Sequence, residues 1–274
     1  MPPQQSSLTV QLDLPQLSQT AQTASYLDIG NGIPLVILHG FMGNKECWLP
    51  LIEHLLPHCR CISLDLLGFG ESGKPKIRYD VATEVAFVRQ VTLKLELDSF
   101  YILGHSFGGW VAAAYALKYP TQVKGLLLAA PGGIRDDSFC GRYDHLRPLL
   151  WQIPVVDWVL QLLQLSTKNA TIDKIAWFRR EINAQPAARS FLVDRIRPED
   201  AIDTVEQEIY QLQVPTLVMT GDRDETIPLW HSETYAAEIP GAKLAIIPDA
   251  HHSLPQDYAP QLAALIEQFL GCIN

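Results

Sequence analysis

The chain has 274 residues, of which 47% are hydrophobic, and its formal net charge at pH 7 is −9. A chain of this length and composition buries a large core, either as one α/β domain or as one domain with an insertion. The negative charge and the lack of a Lys/Arg-rich run argue against nucleic acid or an anionic membrane surface as the main partner.

Targeting and metal-binding signals are weak in this sequence. No apolar run reaches the roughly 18 residues of a membrane span, and the first residues lack the charged and apolar regions of a signal peptide. We therefore expect a cytoplasmic protein with no membrane span. The 5 cysteines are odd in number and form no Cys-x-x-Cys pair, so they indicate neither zinc nor redox chemistry.

The first forty residues lead from polar sequence into a buried strand. Residues up to about Thr23 are polar and rich in Gln and Ser, which predicts a frayed end or a short edge strand. Residues 24–29 and 34–38 flank the turn-forming stretch Gly30-Asn31-Gly32. This pattern predicts a hairpin that leads into a central strand.

Strand-like and helix-like patterns then alternate along the chain. Short apolar runs predict strands at 60–64, 100–103, 123–129, 215–219 and 243–247. Helical spacing of apolar residues predicts helices at 45–56, 81–95, 110–117, 229–238 and 259–270. Such alternation favours an α/β fold with a mostly parallel central sheet and helices on both faces.

One block interrupts this alternation after the sixth predicted strand. Residues 134–212 contain no strand-like run, and their aromatic residues lie among leucines at helical spacing. We predict a helical cap there, inserted into a core made of residues 1–133 and 213–274. Aromatic residues in such a pattern belong more often to a core than to a ligand site, and here they are Trp151, Trp158, Trp177, Phe178 and Phe191.

The stretch Gly104-His105-Ser106-Phe107-Gly108-Gly109 lies between a predicted strand and a predicted helix. A serine hydroxyl is a poor nucleophile unless it is exposed and next to a base, and a sharp strand-to-helix turn provides that exposure. Glycines two residues before and after Ser106 let the backbone double back. Gly-x-Ser-x-Gly alone is weak evidence, but this context makes Ser106 the candidate nucleophile.

A base and an orienting carboxylate follow later in the chain. Asp224 comes after the predicted strand 215–219, and His252 comes after the predicted strand 243–247. Carboxyl ends of parallel strands meet at one edge of a sheet, where open α/β sheets bind ligands. The order Ser106, Asp224, His252 is the triad order of α/β-hydrolases and differs from those of two well-known serine proteases.

The chain therefore resembles the α/β-hydrolase fold superfamily, in its serine-nucleophile branch, across about residues 24–270. His39-Gly40-Phe41 resembles the oxyanion loop of that family, and the stretch from Asp65 to Ser72 resembles its Asp-x-x-Gly-x-Gly-x-Ser turn. The resemblance implies that the backbone N–H groups of Phe41 and Phe107 stabilise the oxyanion.

Two positions leave alternatives open. The family's acid usually stands fourth in Gly-x-x-Asp with a proline four residues later, which favours Asp224 over Asp222. The family's histidine usually follows a glycine, whereas His251 precedes His252 here. His251 thus remains a second candidate for the base.

No cofactor and no metal are expected. Gly68, Gly70 and Gly73 have the spacing of a dinucleotide fingerprint, but Lys74-Pro75-Lys76 follows where that fingerprint needs a helix. The histidines show no ligand spacing beside an acidic partner.

The most direct hypothesis is a serine hydrolase, monomeric or homodimeric, that acts on a small or medium, largely apolar ester through an acyl-enzyme on Ser106. A triad-dependent carbon–carbon hydrolase, a lyase or a synthase is the alternative, followed by a small-molecule receptor with vestigial activity. Carbon–carbon hydrolases of ring-cleavage products often carry Trp after the histidine, where this chain has Ser253.

Overall fold

A computed structural model describes residues 5–14, 17–137, 153–166, 169–194 and 204–272. These residues form an 8-stranded sheet in the order β1-β2-β4-β3-β5-β6-β7-β8. The strands β3 to β8 run parallel to one another, whereas β2 is antiparallel to both β1 and β4. The strands are β1 (Gln5–Leu14), β2 (Leu17–Ile29), β3 (Ile33–Leu38), β4 (Cys59–Leu64), β5 (Phe100–His105), β6 (Val123–Ala129), β7 (Thr216–Gly221) and β8 (Lys243–Ile247).

Helices cover both faces of the sheet. The α-helices are α1 (Leu49–Leu55), α2 (Val81–Lys94), α3 (Phe107–Lys118), α4 (Pro154–Ser166), α5 (Ala170–Ala184), α6 (Pro186–Asp194), α7 (Leu229–Glu238), α8 (Leu254–Asp257) and α9 (Ala259–Leu270). Short 3₁₀ turns occupy Lys45–Trp48, Pro120–Gln122 and Ile209–Gln211. The predicted α/β fold with a mostly parallel, doubly covered sheet is confirmed.

The alternation of side chains along β3 divides the core into two layers. Val36 and Leu38 point into the layer that α2, α3 and α7 cover, whereas Leu35 and Ile37 point into the layer under α1 and α9. Successive side chains of a strand face opposite sides, and both sides of a central parallel strand are buried. The continuous apolar run of β3 therefore places it in the middle of the sheet.

The predicted hairpin of residues 24–29 with 34–38 is wrong. β2 pairs with β4, through pairs such as Tyr26 with Leu64, and β3 pairs with β4 and β5. Because parallel neighbours occupy both edges of β3, β2 cannot pair with it.

The sequence before Thr23 does contain an edge strand, as one of the two expectations has it, but that strand is long rather than short. β1 and β2 are strands of 10 and 13 residues that pair along most of their length. Val10 and Leu12 alternate inward and are 0% and 1% exposed, so a polar sequence can still bury one face at the sheet edge.

Three helices, α4 to α6, lie in the described part of the chain between β6 and β7. α6 packs on the core, where Ser190 Oγ accepts a hydrogen bond from the Tyr79 backbone N–H at 3.1 Å. Phe191 is 4% exposed and fits the core expectation for the aromatic residues. Trp158 and Trp177 are 68% and 53% exposed, so that expectation is wrong for them, and Trp151 lies outside the described residues.

Candidate active site

Ser106 lies at the turn between β5 and α3, the strand–turn–helix context that the sequence predicts. Its backbone is in the left-handed region, with φ 52° and ψ −115°, which costs a non-glycine residue about 1–3 kcal/mol. Hydrogen bonds hold this conformation: the Ser106 N–H donates to Ala129 O at 2.9 Å, and its carbonyl accepts from Gly132 N–H at 2.9 Å. The turn therefore presents a serine in the strained geometry of a nucleophile elbow.

Two glycines make this turn possible by close backbone contact. A Cβ on Gly104 would lie 2.1 Å from the Gly108 carbonyl oxygen, and a Cβ on Gly108 would lie 2.3 Å from the Leu38 carbonyl oxygen. Both distances are far inside van der Waals contact, and both neighbours are backbone atoms. The glycine spacing thus lets β5, α3 and the end of β3 meet at the serine.

The structure brings His252 and Asp224 together in a direct hydrogen bond. His252 Nδ1–H donates to Asp224 Oδ2 at 2.7 Å, and the side chain of Asp224 is fully buried whereas that of His252 is 21% exposed. Asp224 Oδ1 accepts from the backbone N–H groups of Thr226 and Ile227 at 2.8 and 2.9 Å. This arrangement places the proton of the neutral imidazole on Nδ1 and leaves Nε2 of His252 available for the role that the sequence predicts for it.

The electrostatics of Asp224 favour its ionised form. Burial pushes the pKa of this carboxyl upward, but the hydrogen bond and the charge of His252, with the two backbone N–H donors, outweigh burial and lower the pKa below its usual value. A carboxylate in this state orients an imidazole and stabilises its protonated form.

The alternative acid and base lie elsewhere. Asp222 is exposed, in contrast to buried Asp224. The His251 side chain is 54% exposed, and its Nε2 lies 3.7 Å from Asp257 rather than beside Asp224. The geometry therefore favours His252 and Asp224 as the pair.

His105, immediately before the serine, connects the elbow to the His252 loop. Its Nε2–H donates to the His252 carbonyl oxygen at 2.8 Å, and the two imidazole rings have centroids 4.7 Å apart. Burial, with a smaller effect of nearby His252, lowers the pKa of His105 to about 3, so it is neutral at physiological pH. The sequence shows His105 beside Ser106 but does not reveal this contact, which joins residues 147 positions apart.

His39 plays a comparable part in the loop after β3. The backbone N–H of Leu66 donates to His39 Nε2 at 3.0 Å, so the proton resides on Nδ1, which donates to the Gly40 carbonyl at 2.8 Å. Burial lowers the pKa of this histidine and keeps it neutral. The predicted oxyanion loop is thus fixed to the turn that follows β4.

The two predicted oxyanion donors lie on loops that meet at Ser106. A Cβ on Gly40 would lie 3.3 Å from Ser106 Cβ, so the loop carrying Phe41 passes directly beside the serine. The Phe41 and Phe107 rings pack edge to face with centroids 6.3 Å apart. Among the residues that the structure describes, no backbone carbonyl outside the regular elements accepts the N–H of Phe41 or of Phe107.

An ionic network with a buried Lys45–Asp65 pair and a more exposed Glu71 supports these loops and has no obvious sequence signal. Lys45 Nζ lies 3.0 Å from Asp65 and 2.8 Å from Glu71, and Asp65 also accepts from the Lys45 backbone N–H at 2.6 Å. Burial opposes the charge of Lys45, but its hydrogen bonds to carboxylates outweigh this and raise its pKa. The network holds the turn that contacts His39.

Comparison with known proteins agrees with this architecture. A family model described as the alpha/beta hydrolase fold matches residues 33–168. The chain belongs to the α/β-hydrolase fold superfamily. A solved structure of a thermophilic esterase from Thermogutta terrifontis shares the fold, with a TM-score of 0.74 and 23% identity over 97% of this chain and 98% of that chain.

Two relatives are similar in sequence. A 2-hydroxymuconate semialdehyde hydrolase from Pseudomonas sp. (strain CF600) is 29% identical over 89% of this chain and 89% of that protein. The 1-acylglycerol-3-phosphate O-acyltransferase ABHD5 of Sus scrofa is 36% identical over 69% of this chain and 53% of that protein. The matched region therefore spans about half the length of this second relative.

Proposed function

We propose that the protein is a serine hydrolase of small or medium, largely apolar carboxylic esters. The observation that carries this proposal is the His252–Asp224 pair, anchored by His105 to the strained elbow that presents Ser106. Nucleophile, base and orienting acid are the three groups that acyl transfer by a serine requires.

In the first half of the reaction, His252 Nε2 takes the proton of Ser106 Oγ as the oxygen attacks the ester carbonyl. The backbone N–H groups of Phe41 and Phe107 donate to the oxyanion that forms. The protonated His252 then gives its proton to the leaving oxygen, the carbon–oxygen bond breaks, and an alcohol departs. An acyl group remains on Ser106.

In the second half, His252 Nε2 takes a proton from water while the water oxygen attacks the acyl carbon. The second oxyanion receives the same two N–H donors. When it collapses, the bond to Ser106 Oγ breaks, the serine regains its proton from His252, and the carboxylic acid is released. Asp224 keeps Nδ1 of His252 protonated throughout both halves.

The surroundings of Phe107 support an apolar substrate. The Phe107 ring packs against Phe41, Phe69 and Phe191, with centroid distances of 6.3, 5.8 and 4.8 Å. Phe191 comes from α6, so the proposed cap, residues 134–212, places an aromatic ring directly against the residue that carries an oxyanion donor. Apolar and aromatic walls with few polar groups are typical of small-molecule sites.

Carbon–carbon bond hydrolysis is the second candidate, because a relative over 89% of both chains is named a 2-hydroxymuconate semialdehyde hydrolase. The same triad serves both reactions, and the leaving group is then a carbon rather than an oxygen. Ser253, after His252, differs from the Trp that such enzymes often carry and favours the ester reaction.

A substrate comparison tests these two candidates. We expect kcat/KM for p-nitrophenyl esters to rise from acetate towards medium acyl chains and to exceed that for 2-hydroxymuconate semialdehyde. The Ser253→Ala variant, altered at the residue that precedes α8, serves as a control that retains ester turnover. Faster turnover of the semialdehyde than of every ester would reject the ester proposal in favour of carbon–carbon hydrolysis.

A further inference from the structure

Helix α4 exposes its apolar side to solvent. We define the outer face as five residues of α4 and one of α5 that are at least half exposed, namely Val155 (60%), Trp158 (68%), Val159 (50%), Leu162 (66%), Leu165 (87%) and Trp177 (53%). The α4 residues follow the i, i+3, i+4, i+7 spacing of one helical stripe. Contiguous apolar patches of this kind on soluble proteins mark interaction sites.

The side of α4 that faces the rest of the protein is mixed: Val156 and Leu160 are half-buried there, and two exposed polar residues of α4 bond to α5. Asp157 forms a two-pronged ion pair with Arg179 of α5, at 2.6 and 2.8 Å. Gln164 Nε2 donates to Asp173 of α5 at 2.8 Å. A surface helix normally turns its apolar stripe inward. α4 turns Val156 and Leu160 inward, but the larger part of its apolar surface, the outer face, remains exposed among the residues that the structure describes.

The size of the outer face argues against a second copy of the chain as its occupant. A helix of 13 residues is about 20 Å long and about 10 Å wide, which gives a footprint of about 200 Å². A stable protein interface buries about 800 Å² on each partner. Even if α5 doubles this footprint, the outer face covers only about half of that area.

The chemistry of the outer face suits a lipid surface. Indole rings such as those of Trp158 and Trp177 favour the boundary between acyl chains and headgroups. α4 carries one charged side chain, Asp157, and that carboxylate is paired with Arg179. The net charge of −9 disfavours anionic lipid, so a zwitterionic surface fits best.

The length of α4 excludes a transmembrane position for it. A span needs about 20 apolar residues, whereas α4 has 13, and no helix in the described ranges is long and apolar enough to cross a bilayer. A short amphipathic helix with an apolar stripe lies in the plane of the interface instead.

We propose that the outer face docks the protein on zwitterionic phospholipid, with α4 lying along the bilayer surface. The docking does not depend on the ester reaction, since none of the outer-face residues belongs to the proposed triad. It would bring α6, and with it the region around Ser106, close to substrates dissolved in the lipid phase.

Flotation with vesicles of 1-palmitoyl-2-oleoyl-phosphatidylcholine tests this proposal. The wild type is expected to float with the vesicles, and the double variant Trp158→Ser/Leu162→Ser is expected to lose at least about tenfold in apparent affinity, because it removes two large apolar side chains from the face. Leu93→Ser is the matched control, because Leu93 is a comparably exposed residue, at 47%, on α2. It should float like the wild type.

A second measurement needs no variant. Phosphatidylcholine brominated in its acyl chains should quench the tryptophan fluorescence of the wild type, because the indoles of the outer face enter the acyl region. Labelling of Ser106 by a fluorophosphonate, measured in parallel, reports the proposed catalytic function separately. If the protein binds vesicles but Ser106 is not labelled, the docking proposal is supported and the esterase proposal is rejected.

Three results would overturn the docking proposal. The wild type could stay in the vesicle-free fraction without quenching, or the double variant could float as well as the wild type. Sedimentation equilibrium could also show a wild-type dimer that the double variant converts to monomer, which would assign the outer face to a second copy of the chain.

Discussion

The hydrogen-bond donors around Asp224 keep its carboxylate in the ionised form. One oxygen accepts from His252, and the other accepts from the backbone N–H groups of Thr226 and Ile227. These donors lower the pKa of Asp224 although the side chain is buried. The carboxylate is therefore ionised at neutral pH, and its charge favours protonation of His252 during the proposed reaction.

We predict that Asp224→Asn lowers kcat for ester hydrolysis by about 10⁴-fold, as loss of the orienting acid does in serine proteases. The amide no longer holds Nδ1 of His252 in its protonated form, so Nε2 is not set as the base. Asp222→Asn, an exposed change two residues earlier, should keep kcat within about twofold. Equal losses in the two variants would contradict the assignment of Asp224.

The same substitution has a predicted effect on the pH dependence of stability. Because the pKa of Asp224 is lower in the folded state, its ionised form stabilises the fold above the ordinary value of 3.8. This contribution is lost as the pH falls through the lower folded value. Between pH 7 and pH 3, Asp224→Asn should therefore lose less stability than the wild type, as measured by urea unfolding at each pH.

At the scale of elements, the approach of α3 to β3 depends on a missing side chain. Gly108→Ala would place a Cβ 2.3 Å from Leu38 O and 2.5 Å from His39 O. Because neither backbone atom can move away easily, we predict a loss of about 3 kcal/mol or more in unfolding free energy.

Gly132 offers a matched control for this prediction. A Cβ on Gly132 would meet its nearest atom, Ser106 O, at 3.6 Å, which is ordinary contact. Gly132→Ala should therefore cost less than about 1 kcal/mol in urea unfolding. An equally large loss in both variants would show that the elbow is sensitive to any added methyl group rather than to the β3 contact.

Elements with a strong local signal are the ones that the sequence predicts well. The apolar runs of β6 and β8 and the helix 229–238 agree with the structure residue for residue. The predicted helix at 110–117 begins three residues earlier in the structure, at Phe107, because the glycines of the elbow already belong to α3. Apolar periodicity does not register glycine, which has no side chain.

The pairing of strands at the sheet edge could not be predicted in the same way. The turn at 30–32 separates two strands that look like a hairpin, but β2 pairs with β1 and β4 instead. Both edges of β3 are already paired, with β4 and with β5, so β2 pairs with other strands. These pairings join strands that are distant in the sequence, and a local pattern of apolar residues does not show them.

Long-range polar contacts of the site were missed for the same reason. His105 meets the His252 carbonyl across 147 positions, and Lys45 meets Asp65 across 20. The sequence shows these side chains near motifs but not their partners. Ser106, Asp224 and His252 could be proposed because each follows a recognisable strand, and their catalytic roles stay a prediction.

At the scale of the whole molecule, one part of the region between β6 and β7 packs on the core and another part is exposed. α6 buries Phe191 against Phe107, whereas α4 is paired with α5 through Asp157 and Arg179 and keeps its outer face exposed. Helical spacing alone predicts the helices but not which side faces inward. The proposed cap, residues 134–212, would thus combine a wall for the proposed active site with the proposed docking surface for lipid.

The two ends of this region meet at the core. The Val205 backbone N–H donates to the Gly133 carbonyl at 2.9 Å. An insertion whose ends lie together leaves the sheet order undisturbed, which explains how β6 and β7 remain parallel neighbours. This contact supports a cap that begins near residue 134, while residues 204–212 pack back towards the core through Ile209 and Leu212.

The most direct test of the central claim, an activated Ser106, is labelling with a fluorophosphonate followed by intact-mass measurement. The account predicts one adduct on the wild type and none on Ser106→Ala, since only an alkoxide formed beside His252 attacks the phosphorus. An unlabelled wild type, or a labelled Ser106→Ala variant, would contradict the assignment of Ser106 as the nucleophile.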